Sequence, residues 1–154
     1  MQKTVITTNF EETRQLGVAI AKTLKGGEVL ALYGDLGSGK TTFMQGLAQG
    51  LGITKHILSP TFLIMRSYDI TGEKESAKGN GTKYLYHLDL YRIENEKDVE
   101  GLGLLDLMDD PENIVAIEWP DKLETLLPKN ASSFYFAYLG DDKREIRYND
   151  RQST

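Results

Sequence analysis

The stretch Gly34-Asp-Leu-Gly-Ser-Gly-Lys-Thr-Thr42 decides the fold. It fits the pattern G-x-x-x-x-G-K-[ST], with Gly34, Gly39, Lys40 and Thr41 in the fixed places. Glycines let the backbone curl until successive amides point at phosphate oxygens, Lys40 has the reach and charge to meet β- and γ-phosphates, and Thr41 offers a hydroxyl to Mg2+. The flanks agree with this reading. Upstream, Glu28-Val-Leu-Ala-Leu-Tyr33 is a short apolar run of buried-strand type, and downstream Thr42-Phe-Met-Gln-Gly-Leu-Ala-Gln-Gly-Leu51 carries apolar residues at helical spacing. Strand, loop and helix in this order aim the positive end of the helix at an anion. A plain glycine turn is the competing reading, and the full motif between two fitting flanks outweighs it.

Composition bounds what can surround this loop. The 154 residues suit one domain spanning 1–154, with room for a real core. The chain has no cysteine, which excludes a disulfide framework and a cysteine metal site. The start, MQKTVITTNFEE, has no apolar signal core, and no apolar run approaches membrane-spanning length, so no membrane partner and a cytoplasmic location are expected. A net charge of −5 argues against gripping nucleic acid over a broad face.

Along the chain, Lys3 to Thr8 reads as a strand, and Asn9 followed by Glu11 and Glu12 is a helix-start signature. Phe10, Leu16, Ile20 and Leu24 mark one face of a helix ending at Gly26-Gly27. After the loop and its helix, strands are predicted over Thr61–Tyr68, Lys83–Tyr91 and Asn113–Trp119. The polar, glycine-dotted stretch between the first two, residues 71–83, has the composition of a mobile loop. An acidic segment follows Arg92, a short helix is expected from Asp121 to Leu127, and Ser133–Tyr138 with Arg144–Tyr148 flank Gly140-Asp141-Asp142 as a hairpin. Residues 149–154 read as a disordered tail. This order of elements predicts an α/β fold with a mixed central sheet, parallel near the glycine-rich loop and antiparallel at its margins, with flanking helices.

A phosphate-binding loop needs a further acidic residue to hold or orient Mg2+, commonly at the carboxyl end of a neighbouring strand. Glu118 closes the run Ile114-Val-Ala-Ile117 and would stand beside the phosphate crevice; its alternative role is a cap on the next turn. Asp89 lies in Tyr86-His-Leu-Asp-Leu-Tyr-Arg92, sharing a face with His87 and Tyr91; the alternative is a strand-edge carboxylate paired with Arg92 or His87. Thr61, in Ser59-Pro-Thr, occupies the place where nucleotide switches keep a γ-phosphate-sensing hydroxyl, or simply starts a strand. Trp119 is ordinary core on its own local sequence, or else a flat surface near a nucleotide.

Taken together, GDLGSGKTT, SPTF, YHLDLYR and IEWPD in this order resemble the TsaE family, small P-loop ATPases of bacterial tRNA threonylcarbamoyladenosine biosynthesis. The resemblance runs from about Thr7 to the final hairpin. It implies a P-loop NTPase fold, ATP and Mg2+ as cofactors, and the TsaB–TsaD heterodimer as protein partner, with ANN-decoding tRNAs reached indirectly through that complex. The ATPase would reset the complex between rounds of modification and would not itself transfer threonylcarbamoyl. Carried over by position, Leu36, Gly37, Ser38, Gly39, Lys40, Thr41 and Thr42 would wrap the phosphates. Thr41, Glu118 and Asp89 would hold the metal, and Lys40, Asp89, Glu118 and Thr61 would be catalytic. Trp119 would lie beside the nucleotide, with Phe10 and Arg144 toward its adenine end. The departure from the family pattern is the long stretch from Thr71 to Lys83.

Two other classes share the loop. A small-molecule kinase should carry an arginine-bearing lid, whereas residues 71–83 hold lysines and no arginine. A GTP-driven module should carry N-K-x-D, which does not occur. The fragments Asp69-Ile-Thr-Gly72 and Ser76-Ala-Lys78 match GTPase sequence only in the wrong order.

Overall fold

A computed structural model describes residues 2–57, 64–70, 83–123 and 125–149. Seven strands form one sheet: β1 (Gln2–Thr7), β2 (Val29–Tyr33), β3 (Met65–Asp69), β4 (Tyr84–Asp89), β5 (Asn113–Glu118), β6 (Ser132–Gly140) and β7 (Lys143–Asn149), in the spatial order β1-β7-β6-β2-β5-β4-β3. The four central strands β6, β2, β5 and β4 run parallel, while β1, β7 and β3 pair antiparallel at the two margins. That is the mixed sheet expected from the order of elements. β2 and β5 are apolar almost throughout because both their faces are covered. Alternate residues divide between two cores: Leu30, Leu32, Ile114 and Ala116 join one, Val29, Val115 and Ile117 the other.

The first core is roofed by α1 (Phe10–Ala21) and α2 (Lys40–Gly50). α1 opens as expected, with Asn9 Oδ1 accepting from the Glu12 amide at 2.9 Å and Glu12 Oε1 accepting from the Thr8 amide at 2.7 Å. It closes earlier than its apolar spacing suggests. The chain tightens after Ala21, where the Thr23 hydroxyl donates to Ile20 O at 2.7 Å and the Glu28 carboxylate takes the Lys25 and Gly26 amides, each at 2.7 Å. Leu24 is still buried, outside the helix. The residues α1 buries are Thr13, Gly17 and Ala21, a stripe of small side chains that the apolar pattern does not reveal. Against it, a Cβ on Gly46 of α2 would meet Arg14 O at 1.8 Å, and one on Gly17 would meet Phe43 O at 2.2 Å. The helices touch backbone to backbone.

The second core is closed by a 3-10 helix at Glu96–Leu102, the short α3 (Leu104–Asp109) and a 3-10 turn at Pro120–Leu123, burying Val99, Leu104 and Leu123. The acidic segment therefore carries its own fold. Asn95 caps it, accepting from the Lys97 amide at 2.9 Å, while Asp98 accepts from the Asn95 amide at 3.3 Å. The helix expected at 121–127 is reduced to that 3-10 turn. The hairpin β6–β7 turns at Gly140, Asp141 and Asp142, all with positive φ of 90°, 52° and 62°. β7 runs through Asn149, one residue into the expected tail, whereas 150–154 and most of the expected loop, 71–82, lie outside the described residues. Among the described residues no helix is long and apolar enough to cross a membrane.

The glycine seam can be tested directly. Gly46→Ala should lower unfolding stability by about 1–3 kcal/mol or more through overpacking, where an exposed mid-helix change of this kind would add about 1 kcal/mol. Gly101→Ala, where a Cβ meets nothing within 4 Å, should stay within about 0.5 kcal/mol of the parent in the same urea titration.

Candidate functional site

β2 delivers the chain to Gly34, whose φ of 149° and missing side chain are both required: a Cβ would lie 2.7 Å from Phe136 O and from Ser38 Oγ. The loop ends at Gly39, which starts α2 with φ 105° and no side-chain cap. The first-turn amides of α2 thus lack the side-chain acceptor that usually takes them, the arrangement that suits an anion. Phe10, Leu36, Gly37, Ser38, Gly39, Lys40, Thr41, Thr42, Asp89, Glu118, Trp119 and Arg144 line one cavity of about 300 Å3. Every residue to which the family resemblance gives a role is there except Thr61, which lies outside the described residues. A larger cavity of about 610 Å3, bounded by Arg14, Gln49, Lys55 and His56 among others, contains none of these groups.

Lys40 is 5% exposed, its Nζ donating to Gly34 O and standing 3.9 Å from the centre of the Trp119 ring. Burial pushes its ammonium below the ordinary lysine range, opposed by the carboxylates of Glu118, Asp89, Asp35 and Asp121. Asp89 and Glu118 are paired across β4 and β5 in register. Asp89 accepts from the Tyr91 amide at 3.0 Å. Its carboxyl is raised above the ordinary aspartate range, chiefly by burial; the Tyr91 amide opposes this, and the Glu118 charge adds to it.

Glu118 is 3% exposed and points one oxygen at His87, with Nε2 to Oε2 at 2.6 Å. The sequence reading put His87 on the face of Asp89 and as its possible partner; the structure gives it to Glu118 instead. The period-two pattern supplied the face, and only the neighbouring strand supplies the partner.

Trp119 takes φ 58°, a left-handed conformation costing about 1–2 kcal/mol for a residue with a side chain. That turn ends β5 immediately after Glu118 and sets the indole over Lys40, with the Tyr91 ring centre 5.0 Å away. Trp119 is therefore half-buried at the cavity wall, and the core role that its local sequence favours is only partly its role here.

Arg144 reaches the cavity from β7. Its guanidinium lies 5.0 Å from the Phe10 ring centre and 4.9 Å from that of Tyr138, with Nη1 donating to Asp142 O at 2.8 Å and Nη2 to Gly37 O at 3.4 Å. Arg144 Nε and Ser38 Oγ are buried and have no hydrogen-bond partner. Two orphaned donors beside a capless helix start fit a ligand that brings acceptor oxygens.

Comparison with known proteins settles the family. The model for "Threonylcarbamoyl adenosine biosynthesis protein TsaE" matches residues 7–146. The chain belongs to the TsaE family. It is 41% identical to the tRNA threonylcarbamoyladenosine biosynthesis protein TsaE of Bacillus subtilis, over 92% of this chain and 82% of that protein. The TsaE of Treponema pallidum is 31% identical, over 92% of this chain and 96% of the relative. Among solved structures, that of Bacillus subtilis YdiB superposes with a TM-score of 0.74 at 33% identity, covering 96% of this chain and 84% of the other. The fold is of the P-loop NTPase type, and the process named for the family is formation of threonylcarbamoyladenosine in tRNA.

The raised Asp89 carboxyl has a consequence for stability. The folded state holds this proton more tightly than the unfolded chain does, so ionised Asp89 costs stability above its folded pKa and costs nothing below the ordinary aspartate value. Asp89→Asn should raise the melting temperature of the nucleotide-free protein at neutral pH by about 1–4 °C. The gain should fade as the pH falls into the ordinary aspartate range, where the parent carboxyl takes up its proton. A neutral-pH melting point at or below that of the parent would show that burial is not what governs this carboxylate.

Proposed function

We propose that this protein is a Mg2+-dependent ATPase of the cytoplasm that supports tRNA threonylcarbamoyladenosine formation by binding the TsaB–TsaD heterodimer and resetting it. One observation carries the reading: a single cavity gathers the P-loop, both candidate metal carboxylates, Trp119 and Arg144, inside a fold whose family is named for that modification. Its volume falls at the lower end of ordinary ligand pockets, about 300–1,000 Å3.

In this scheme the amides from Leu36 to Thr42 would wrap the phosphates, replacing water by fixed donors. Lys40 is already held at the cavity wall, and would trade its contact with Gly34 O for β- and γ-phosphate oxygens. Thr41, Glu118 and Asp89 would hold Mg2+, which when bound neutralises charge on the triphosphate and polarises its terminal phosphoryl group. A site of two carboxylates and one hydroxyl suits Mg2+, which keeps several waters and shares phosphate ligands.

Beside the metal it helps to hold, Asp89 would also orient the attacking water. Phe10 and Arg144 would bound the adenine end, and Thr61 would sense the γ-phosphate. Phosphoryl transfer asks for positioning and charge, which these groups supply. Loss of the γ-phosphate would then release whatever arrangement of the switch segment the partner recognises. The tRNA would be met through TsaB–TsaD, in keeping with a net charge of −5.

Lys40→Ala should weaken ATP binding by about tenfold or more, since it removes a charge-assisted contact. Asp89→Asn should impair turnover more than ATP binding, and with ATP should still join the heterodimer but fail to sustain repeated rounds of modification, read as product per enzyme in a reconstituted reaction. Full multiple turnover by Asp89→Asn would remove hydrolysis from the resetting step, and parent-like ATP binding by Lys40→Ala would remove the P-loop assignment. Phosphate transfer to a metabolite in place of water would favour the kinase alternative.

A further inference from the structure

His87 lies beneath the cavity, and nothing in the scheme above uses it. It is fully buried on β4, two residues before Asp89, with Nε2 at 2.6 Å from Glu118 Oε2 and with Nδ1 buried and unpartnered. An ionised carboxylate can only accept, so Nε2 is the donor. Nδ1 has no hydrogen-bond partner, so the Nε2–H contact to Glu118 is what ties the ring to the site.

The contact also answers a need of Glu118. At 3% exposure its carboxylate has lost most of its water, and one of its two oxygens is tied to the ring. The other is left for the cavity that Glu118 lines with Lys40 and Thr41. A glutamate has three side-chain torsions, and a hydrogen bond from a ring locked within a strand removes that freedom before any ligand arrives.

We propose that His87 is a positioning residue for the metal: its Nε2–H fixes the Glu118 carboxylate so that the free oxygen is presented to Mg2+. Donors that orient a ligating carboxylate typically change metal affinity by about 10–100-fold when removed. The inference rests on the functional reading above, in which Glu118 is a metal ligand. It adds a residue that never touches nucleotide or metal.

Trp119, the one tryptophan of the chain, stands next to Glu118 and reports on the cavity by its fluorescence. With a non-hydrolysable ATP analogue as ligand, Mg2+ is titrated into the parent, His87→Leu and His87→Gln. Leucine fills similar space without a donor, while the glutamine amide nitrogen is as many bonds from the backbone as Nε2. His87→Leu should raise the Mg2+ concentration for half-saturation by about tenfold or more, with binding of the analogue in chelator unchanged. His87→Gln should stay within about threefold of the parent, a rescue that a merely space-filling role would not give.

Imidazole nitrogen NMR of the unliganded parent, which contains two histidines, should show a proton on His87 Nε2, the nitrogen that faces Glu118. This measurement stands even if a variant fails to fold. A His87→Leu titration superposing on the parent, a glutamine variant as impaired as leucine, or a His87 ring without a proton on Nε2 would each overturn the inference. A parent whose nucleotide binding ignores Mg2+ would instead overturn the functional reading and take this inference with it.

Discussion

Three parallel strands end level with one another. Leu32 of β2 is opposite Glu118 of β5, and Glu118 is opposite Asp89 of β4, so hydrogen bonding between strands brings the glycine loop and two carboxylates to one edge of the sheet. Parallel pairing leaves no choice in this. All carboxyl ends of such strands face the same way, and the loops that follow them form a common rim. A slip of one residue between β4 and β5 would turn Asp89 and His87 to the opposite face, and the apolar residues buried on both sides of β5 resist that slip.

The charges gathered on this rim are only partly balanced among themselves. Lys40 meets the fields of four carboxylates, yet burial still lowers its proton affinity; Asp89 gains one amide donor, yet burial still raises its own. Both displacements point to a site in which ionised groups are short of counter-charges and water. Groups of the protein itself meet some of the demand: Gly34 O and the Trp119 face for Lys40, His87 for Glu118. The strained backbone at Trp119 belongs with these, since the turn that costs conformational energy is the one that lays the indole over the lysine.

Both ends of the chain converge on the same loop. Arg144, from the last hairpin, packs between Phe10 at the start of α1 and Tyr138, and its Nη2 donates to Gly37 O. Gly39 leaves it room, because a Cβ there would lie 3.1 Å from Arg144 Cδ. The seam of α1 on α2 sets where Phe10 stands relative to Lys40. A change in the glycine seam is therefore a change in the site, although no seam residue carries chemistry.

Local sequence was enough for whatever depends on near neighbours along the chain. The loop, its glycines, the strand before it and the helix after it are all coded within residues 28–51, because turn geometry, helix starts and apolar periodicity act over a few residues. The same local logic marked Asp89 and Glu118 as carboxylates at strand ends. The family resemblance added Phe10 and Arg144 as site residues, and chose for Trp119 the place beside the nucleotide that local sequence had left as an alternative.

What sequence could not supply were relations across strands and helices. It placed His87 beside Asp89 because alternation tells which face a residue takes and not which strand lies next to it. It extended α1 to Gly26 because Leu24 is apolar and buried, although the helical hydrogen bonds stop before it. It marked the residues after Arg92 only as an acidic segment; their carboxylates are largely exposed, and Val99 and Leu104 between them close a core. Pairing, close approach and burial depend on what arrives from elsewhere in the chain, so the tertiary structure alone decided that His87 meets Glu118, that α1 rests on α2 through glycine, and that Arg144 reaches the loop.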